Sequence, residues 1–495
     1  MREEAENDVV GRVIDDPGDG PIYEPAQGER QLTVRAVASG CVLGVVIAAM
    51  NIYFGLKTGW AIGGSLIAAI LAYAFFSVIR PKRAFTPLET NIAQTAGSAA
   101  GSMTMAAGLV AAIPAVQLME DGPKLGYLEL TLWALAVAYI GVFYAVPLRR
   151  QMILQEKLRF PTGTATANTI VAMFGSGEET VRKARVLLRW GIVAAAFTLA
   201  AFFVPMLEAP PLDEWIPLAV VGLAASYTFS LYVSPLLFGA GILVGMRVSL
   251  SLFVGAVIAW AVLVPIVESN GWVDGPRMSY GSGARGWILW PGVAVMVFDA
   301  LTALVLSWKT IVRSFTGSGA EEGVAESRRG IPNSWWIGGL LAATVLTVTT
   351  AWTIFDIAPW MTVLAIAMSS VLSIIAVRST GETDINPVSG VGKVTQLVYG
   401  GLAPGQVSTN LMTAGITGAG ASQAADMMQD LKTGYLLGAS PRRQFVAQLF
   451  GIAAGILLCV PIYLLVTNAY ELGSDKLPAP SAFAWKAMAD VLAQG

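Results

Sequence analysis

The chain has 495 residues, 55% of them apolar and only 13% charged, with a formal net charge of −2 and a mean hydropathy of +0.63. Soluble domains are about one quarter charged, so this composition excludes an ordinary water-soluble fold, and without a basic stripe it also excludes nucleic acid as a partner. There is no histidine, and the two cysteines, Cys41 and Cys459, both lie in apolar runs. That excludes His-based catalytic triads, imidazole proton relays and Cys/His metal clusters, so no cofactor, resident metal or disulfide framework is expected.

In chain order, residues 1–32 are acidic and polar and contain Pro17, Pro21 and Pro25. They read as a disordered cytoplasmic leader and not as a signal peptide. Apolar stretches then recur at the length of about 20 residues needed to cross a hydrocarbon core of about 30 Å. They fall at 33–54, 58–79, 128–148, 184–206, 215–235, 241–266, 287–308, 333–355, 358–377 and 444–468. Two further regions, 86–117 and 383–431, have membrane-like length but are rich in Gly, Ser, Thr and Asn. Polar or non-helical backbone at membrane depth is tolerated only against protein or a water-filled cavity. These regions are therefore expected to line a pathway, with close glycine-mediated helix packing as the competing reading. The predicted fold is all-α, an integral membrane protein of about 12–16 transmembrane segments with polar broken or re-entrant helices.

Basic loops alternate with acidic or mixed ones. Arg80, Lys82 and Arg83, then Arg149 and Arg150, then Lys309 and Arg313, then Arg442 and Arg443 fall on one side. Glu120, Glu208, Glu268 and Glu471 fall on the other. The positive-inside rule places the basic loops and the N-terminus in the cytoplasm, with the chain in the cell membrane.

Internal repetition is also present. Residues 89–97 (ETNIAQTAG) match 382–390 (ETDINPVSG) at four positions, residues 182–192 resemble 442–452, and 207–215 resemble 477–485. Three matches in one order indicate a duplication in which both copies keep one orientation. The first repeat is read as 33–308, a cytoplasmic linker as 309–332, and the second repeat as 333–495. The second copy ends where the first continues, so it is expected to be incomplete at its C-terminus.

Charges within a membrane are costly and are functional candidates. Glu89 begins the first polar region, either as a proton-coupling carboxylate or as a helix-start residue beneath a Thr86 cap. Asp299 stands mid-span with no basic residue near it in sequence, a candidate proton carrier. In GETDINPVSGVGKVTQ (381–396) the Asn386-Pro387 step and Gly390 favour a broken helix, whose free backbone groups can hold a polar substrate. Lys393 needs a counter-ion there, and Asp384 or Glu382 is the expected partner. Asp426 and Asp430 share a helix face followed by Lys432 and read as a solvated surface. FPTGTATANT (160–169) is read as a re-entrant loop or a packing segment.

Taken together, NIYFGLKTGW (51–60), TPLETNIAQTAGSAAGSM (86–103), FPTGTATA (160–167), GETDINPVSGVGKVTQLVYG (381–400) and SQAADMMQDLKTGYLLGASPRRQF (422–445) resemble the oligopeptide transporter (OPT) superfamily, in particular its bacterial and yellow-stripe-like branch. The resemblance spans roughly residues 30–495 and rests on several motifs in order. It implies a proton-coupled importer of small peptides or of metal chelates such as metal–nicotianamine and siderophore complexes. The family's NPG-type motif is met by Asn386, Pro387 and Gly390, interrupted by Val388 and Ser389, which departs from the peptide-transporting branch. Family chains usually continue past the segment matching 477–495.

The expected function is alternating-access symport, with no phosphate-binding loop for ATP and no enzyme motif. Asn386, Pro387, Gly390 and Lys393 are expected to bind or shape the substrate site, with Asn51 and Asn91 opposite. Glu89, Asp299, Glu382 and Asp384 are the expected proton-coupling residues. The expected partners are lipid, protons and the small peptide or metal-chelate substrate, with a homo-oligomer left open. The rival is an uncoupled channel or facilitator for small polar solutes.

Overall fold

The computed structural model describes residues 11–14, 20–120, 122–123, 125–175, 177–210, 231–280, 282–306, 308, 330–474 and 476–494. Most of the expected span at 215–235 and of the linker at 309–332 lies outside these residues. The architecture is all-α apart from one short antiparallel pairing of β1 (Arg12–Val13) with β2 (Tyr23–Glu24). The helices in chain order are α1 (Val34–Thr58), α2 (Ser65–Ile79), α3 (Pro87–Gly101), α4 (Met103–Ala106), α5 (Ala112–Gln117), α6 (Tyr127–Arg149), α7 (Pro161–Gly175), α8 (Gly177–Phe203), α9 (Pro235–Val257), α10 (Val264–Ser269) and α11 (Ala284–Leu306). Then follow α12 (Asn333–Phe355), α13 (Pro359–Thr383), α14 (Val388–Leu402), α15 (Val407–Leu436), α16 (Pro441–Ala469) and α17 (Pro480–Gln494).

Contacts divide the chain into two units, Met1–Thr180 with Val295–Gly495, and Val181–Ala294. In the second unit, α9 kinks at Gly245, which takes a φ of 80° inside the helix, and continues through a π-helical stretch, Ile258–Leu263, into α10. The loop after α10 is tied back by Arg277, which donates to both carboxylate oxygens of Glu268 at 2.6 and 2.7 Å. Both features of the functional argument below belong to the first unit.

Among the described residues, six helical stretches are long and apolar enough to cross a membrane: Val34–Thr58, Tyr127–Gln155, Gly245–Ser269, Asn333–Phe355, Pro359–Thr383 and Pro441–Ala469. Their outward side chains are apolar, as at Val42 and Val46 on α1, Val345 on α12 and Leu465 on α16. That is the pattern of a bundle whose solvent is lipid. The expected span at 58–79 is shorter than read. α1 ends on Gly59 in the left-handed region (φ 80°), and helix resumes only at Ser65.

The first unit is organised around two polar helices. α3 begins with a capping box: the Thr86 side chain accepts from the Glu89 N–H, and the Glu89 carboxylate accepts from the Thr86 N–H, with Pro87 in the first turn. This satisfies N–H groups that a helix start leaves open. All 15 residues of α3 are buried. At about 22 Å, it is too short to cross a bilayer core of about 30 Å. α14 has the same length and folds back on α15. The pairs Asn410–Gln396, Thr395–Thr417 and Asn386–Ser422 show that the two run antiparallel. The sequence reading of 86–117 and 383–431 as broken polar helices is met in this form.

Close packing also operates. On α1, a Cβ at Gly44 would lie 2.4 Å from Ala100 Cβ and 2.7 Å from Gly97 O of α3. On the other side, a Cβ at Gly451 of α16 would lie 2.4 Å from Ala96 O. Small residues therefore hold α3 between α1 and α16 at backbone contact.

Residues 20–32 correct the expectation of a wholly disordered leader. Ile22 N–H donates to Leu436 O, Gln31 accepts from Ser440 N–H, and Tyr23 is buried. Glu29 is also buried, and its carboxylate accepts from the Tyr23 hydroxyl and from the N–H groups of Gly11, Ala26 and Leu88. Short-range composition predicts disorder; these hydrogen bonds reach partners more than 50 and 400 residues away, which composition cannot register.

Two outcomes are expected. Gly44→Leu should lower thermal stability in detergent, since overpacking a tight contact typically costs about 1–3 kcal/mol; Val46→Leu, on the exposed face, should leave the melting temperature unchanged. Burial raises the Glu29 carboxyl above its ordinary 4.5, so the docked leader holds a proton more readily than the free one. Docking is then fully supported below 4.5 and weakens as pH rises through the raised value. In amide hydrogen exchange, Glu29→Gln should protect residues 20–33 more than wild type at neutral pH, with the difference closing under acid conditions. Equal protection at neutral pH would refute the assignment.

Candidate functional site

Two polar clusters lie inside the first unit. The first is built on the α13–α14 break. α13 ends at Asp384, which takes a left-handed φ of 69°, and α14 starts after Pro387. The Asp384 carboxylate accepts from Thr162 N–H at 3.0 Å, Thr162 Oγ1 at 2.6 Å and Gln429 Nε2 at 2.6 Å. Gln429 Oε1 in turn accepts from Gly163 N–H at 2.8 Å. Asp384 and Gln429 thus cap the start of α7 from other helices, with an anion at a helix N-terminus. FPTGTATANT is accordingly a packed helix, not a loop.

Asn386 donates to Ser422 O at 3.4 Å, and its buried Oδ1 has no partner. Gly390 is buried in the first turn of α14, and Pro387 precedes that turn. Lys393 is fully buried, but the expected ion pair with Asp384 or Glu382 does not form. Its Nζ donates to Ala484 O at 3.0 Å and lies 6.0 Å from the Trp485 ring. Glu382 is instead exposed and paired with Arg378 at 2.9 Å, and Arg378 also binds Glu156 at 2.9 Å. The physical reason is the break itself. Glu382 sits four residues after Arg378 on α13, whereas Lys393 belongs to α14 and points at α17.

The two polar regions meet at a small cleft. Met105 and Gly108 line it from the first region; Val388, Ser389 and Gly418 line it from the second, with Trp485 closing one side. It has room for about one water molecule.

The second cluster joins α2, α3, α15 and α16. Asp430 is fully buried; its Oδ1 accepts from Ser65 Oγ at 3.1 Å and Gln94 Nε2 at 2.7 Å. Ser65 and Ser98 share a hydrogen bond of 2.9 Å. Gln444 Nε2 reaches Asp430 O at 2.7 Å, Thr95 Oγ1 at 3.2 Å and Asn91 Oδ1 at 3.4 Å. One turn back on α15, Asp426 faces the Ser102 hydroxyl, which also accepts from Gln423 Nε2 at 2.8 Å. The sequence reading of Asp426 and Asp430 as a solvated face is overturned for Asp430, which α2, α3 and α16 cover; Asp426 is half-buried. One signal was available: residues 407–425 of the same helix contain no charged residue.

The remaining candidates are dispersed. Glu89 is buried and engaged by Arg35, with Thr33 Oγ1 donating at 2.7 Å. Arg35 also bonds the carbonyls of Arg83 and Ala84, so the pair fastens α1 to the start of α3. Asn51 donates to Ile62 O and Gly101 O and accepts from Ile62 N–H, which fixes the non-helical link after α1. Asn91 lies on α3 in the second cluster. Asp299 is exposed on α11 and belongs to neither cluster.

No group of three or more acidic or cysteine side chains is placed to hold a metal ion among the described residues. The family model for the OPT oligopeptide transporter protein matches residues 31–495. A Saccharomyces cerevisiae protein named for oligopeptide transport, YGL114W, is 30% identical over 92% of this chain and 80% of its own length. The metal-nicotianamine transporter YSL2 of Arabidopsis thaliana is 27% identical over 95% of this chain and 79% of its own. A protein of Oryza sativa subsp. japonica named for metal-nicotianamine transport, YSL5, is 26% identical over 94% and 78%. With a family match over nearly its whole length and an all-α polytopic bundle built around buried polar helices, the chain belongs to the OPT oligopeptide transporter family.

Proposed function

We propose that this protein imports small peptides or metal chelates across the cell membrane by proton-coupled alternating access, with its N-terminus in the cytoplasm. The observation that carries this reading is the meeting of the two short polar helical regions at one cleft inside an apolar shell. Buried helix ends, amides and hydroxyls at that depth can bind a polar solute in place of water. The cleft as it stands is too small for a peptide or chelate, so a substrate enters only if the α14–α15 hairpin and the 105–112 segment separate. Ser389 and Ser481 line the cleft; Asn386, with its unpartnered Oδ1, lies three residues before Ser389, and Lys393 sits against Trp485, which closes one side. The relatives named for metal–nicotianamine carriage support the chelate class, and the yeast relative supports the peptide class.

Purified protein in proteoliposomes tests the reading. With acid outside, either short peptides or iron, nickel or copper chelates should accumulate against their gradient. Equilibration without accumulation would establish the facilitator instead. Glu382→Gln and Asp299→Asn, both exposed positions, should accumulate substrate as the wild type does. Glu89→Gln should lower thermal stability more than it uncouples, since it leaves Arg35 without its carboxylate at a largely buried contact. Loss of gradient dependence in any of the three, with folding intact, would place coupling there.

A further inference from the structure

The carboxylates of the second cluster are not used by the substrate cleft, and their surroundings are incomplete in one direction. Asp430 Oδ1 has two donors, whereas its buried Oδ2 has no partner. Gln94 is fully buried, and its Nε2 is spent on that same carboxylate, yet its Oε1 is unpartnered. Beside Asp426, Gln423 is fully buried, donates to Ser102, and leaves its own Oε1 unpartnered. Three acceptor oxygens around two carboxylates therefore lack a donor. What the cluster lacks is hydrogen or positive charge.

The helices packed around it supply neither. α2 and α7 carry no charged side chain, and neither does α4 beside Ser102. The one charged residue of α3 is Glu89, already engaged by Arg35. On α16 the charges are Arg442 and Arg443 in its first turn, and Arg442 donates to Gly330 O. α6 carries Glu129 and Arg149 at its two ends. On α14, Lys393 donates to Ala484 O, and on α13 Arg378 and Glu382 pair with each other. On α15 itself, Lys432 reaches along the helix to the Tyr435 ring at 5.7 Å. Two ionised carboxylates one turn apart inside a bundle repel each other and lose hydration; a single proton held between them relieves both costs.

We propose that the Asp426–Asp430 pair on α15 holds the coupling proton, cradled by Ser65, Gln94 and Ser98. The assignment rests on the transport reading above and gives it a site. An O–H bond forms on one carboxylate with a proton taken from water on the acidic side, and the same proton returns to water on the other side. Ser102, which faces Asp426, directly precedes α4, whose Met105 lines the substrate cleft. Loading the pair and opening the cleft thus act on adjacent turns.

The test uses the intact chain in proteoliposomes with whichever substrate the wild type accumulates. With an inward gradient of about one pH unit and one proton per substrate, wild type should concentrate substrate up to about tenfold. Asp430→Asn should not concentrate it at all, yet should exchange labelled for unlabelled substrate at close to the wild-type rate. Accumulation by Asp430→Asn at the wild-type level would overturn the assignment while leaving transport intact; no exchange by wild type with any substrate would instead defeat the transport reading. Should Asp430→Asn fail to fold, Asp426→Asn decides. Removing the neighbouring like charge should move the pH midpoint of uptake toward acid, and an unchanged midpoint refutes the shared proton. Accumulation driven by a sodium gradient alone, and abolished by Asp430→Asn, would replace the proton with a metal cation and overturn the proposal.

Discussion

The structure depends on one constraint: a polar helix surrounded on every side by a membrane bundle must find its hydrogen bonds within that bundle. α3 carries Thr, Asn, Gln and Ser along one edge and, after its first turn, mostly Ala and Gly along the rest. Its small-residue faces admit the backbones of α1 and α16. Its polar edge is answered by Ser65 of α2, Asp430 of α15 and Gln444 of α16. If any of these neighbours moves away, α3 loses packing and hydrogen bonds together. Of the two readings of its glycine-rich sequence, close packing describes the faces against α1 and α16.

The same constraint explains the fate of the charged candidates. Glu89, Asp384 and Glu382 lie at helix ends, where a carboxylate finds free N–H groups or an arginine. Each is satisfied in the structure by such partners: Arg35 and Thr33 for Glu89, Thr162 and Gln429 for Asp384, Arg378 for Glu382. Asp430 lies within a helix, where the backbone offers its carboxylate nothing, and that carboxylate depends entirely on side chains from two other helices, α2 and α3. A group so placed is sensitive to small separations between those helices.

Lys393 shows how misleading proximity in sequence can be. Nine residues from Asp384, it suggested an ion pair, but the break at Asn386-Pro387 turns α14 away and seats its ammonium against the Ala484 carbonyl and Trp485. α14 and α17 are thereby fastened beside the cleft. The cleft and the carboxylate cluster share α15, which gives one rigid element through which a change at one can be felt at the other.

The amino-acid sequence by itself determined the solvent of this fold, the position of most long helices, the broken character of the two polar regions and the family resemblance. Hydropathy, helix length and Gly/Pro/Asn placement are local properties and survive in a linear reading. The burial of Asp430, the capping of α7 by Asp384 and the docking of residues 20–32 were decided only by tertiary structure. An acidic pair at i and i+4 followed by a lysine looks the same whether water or three helices lie over it. The covering residues, Ser65, Gln94 and Gln444, come from segments up to several hundred positions away, and only the folded bundle places them there.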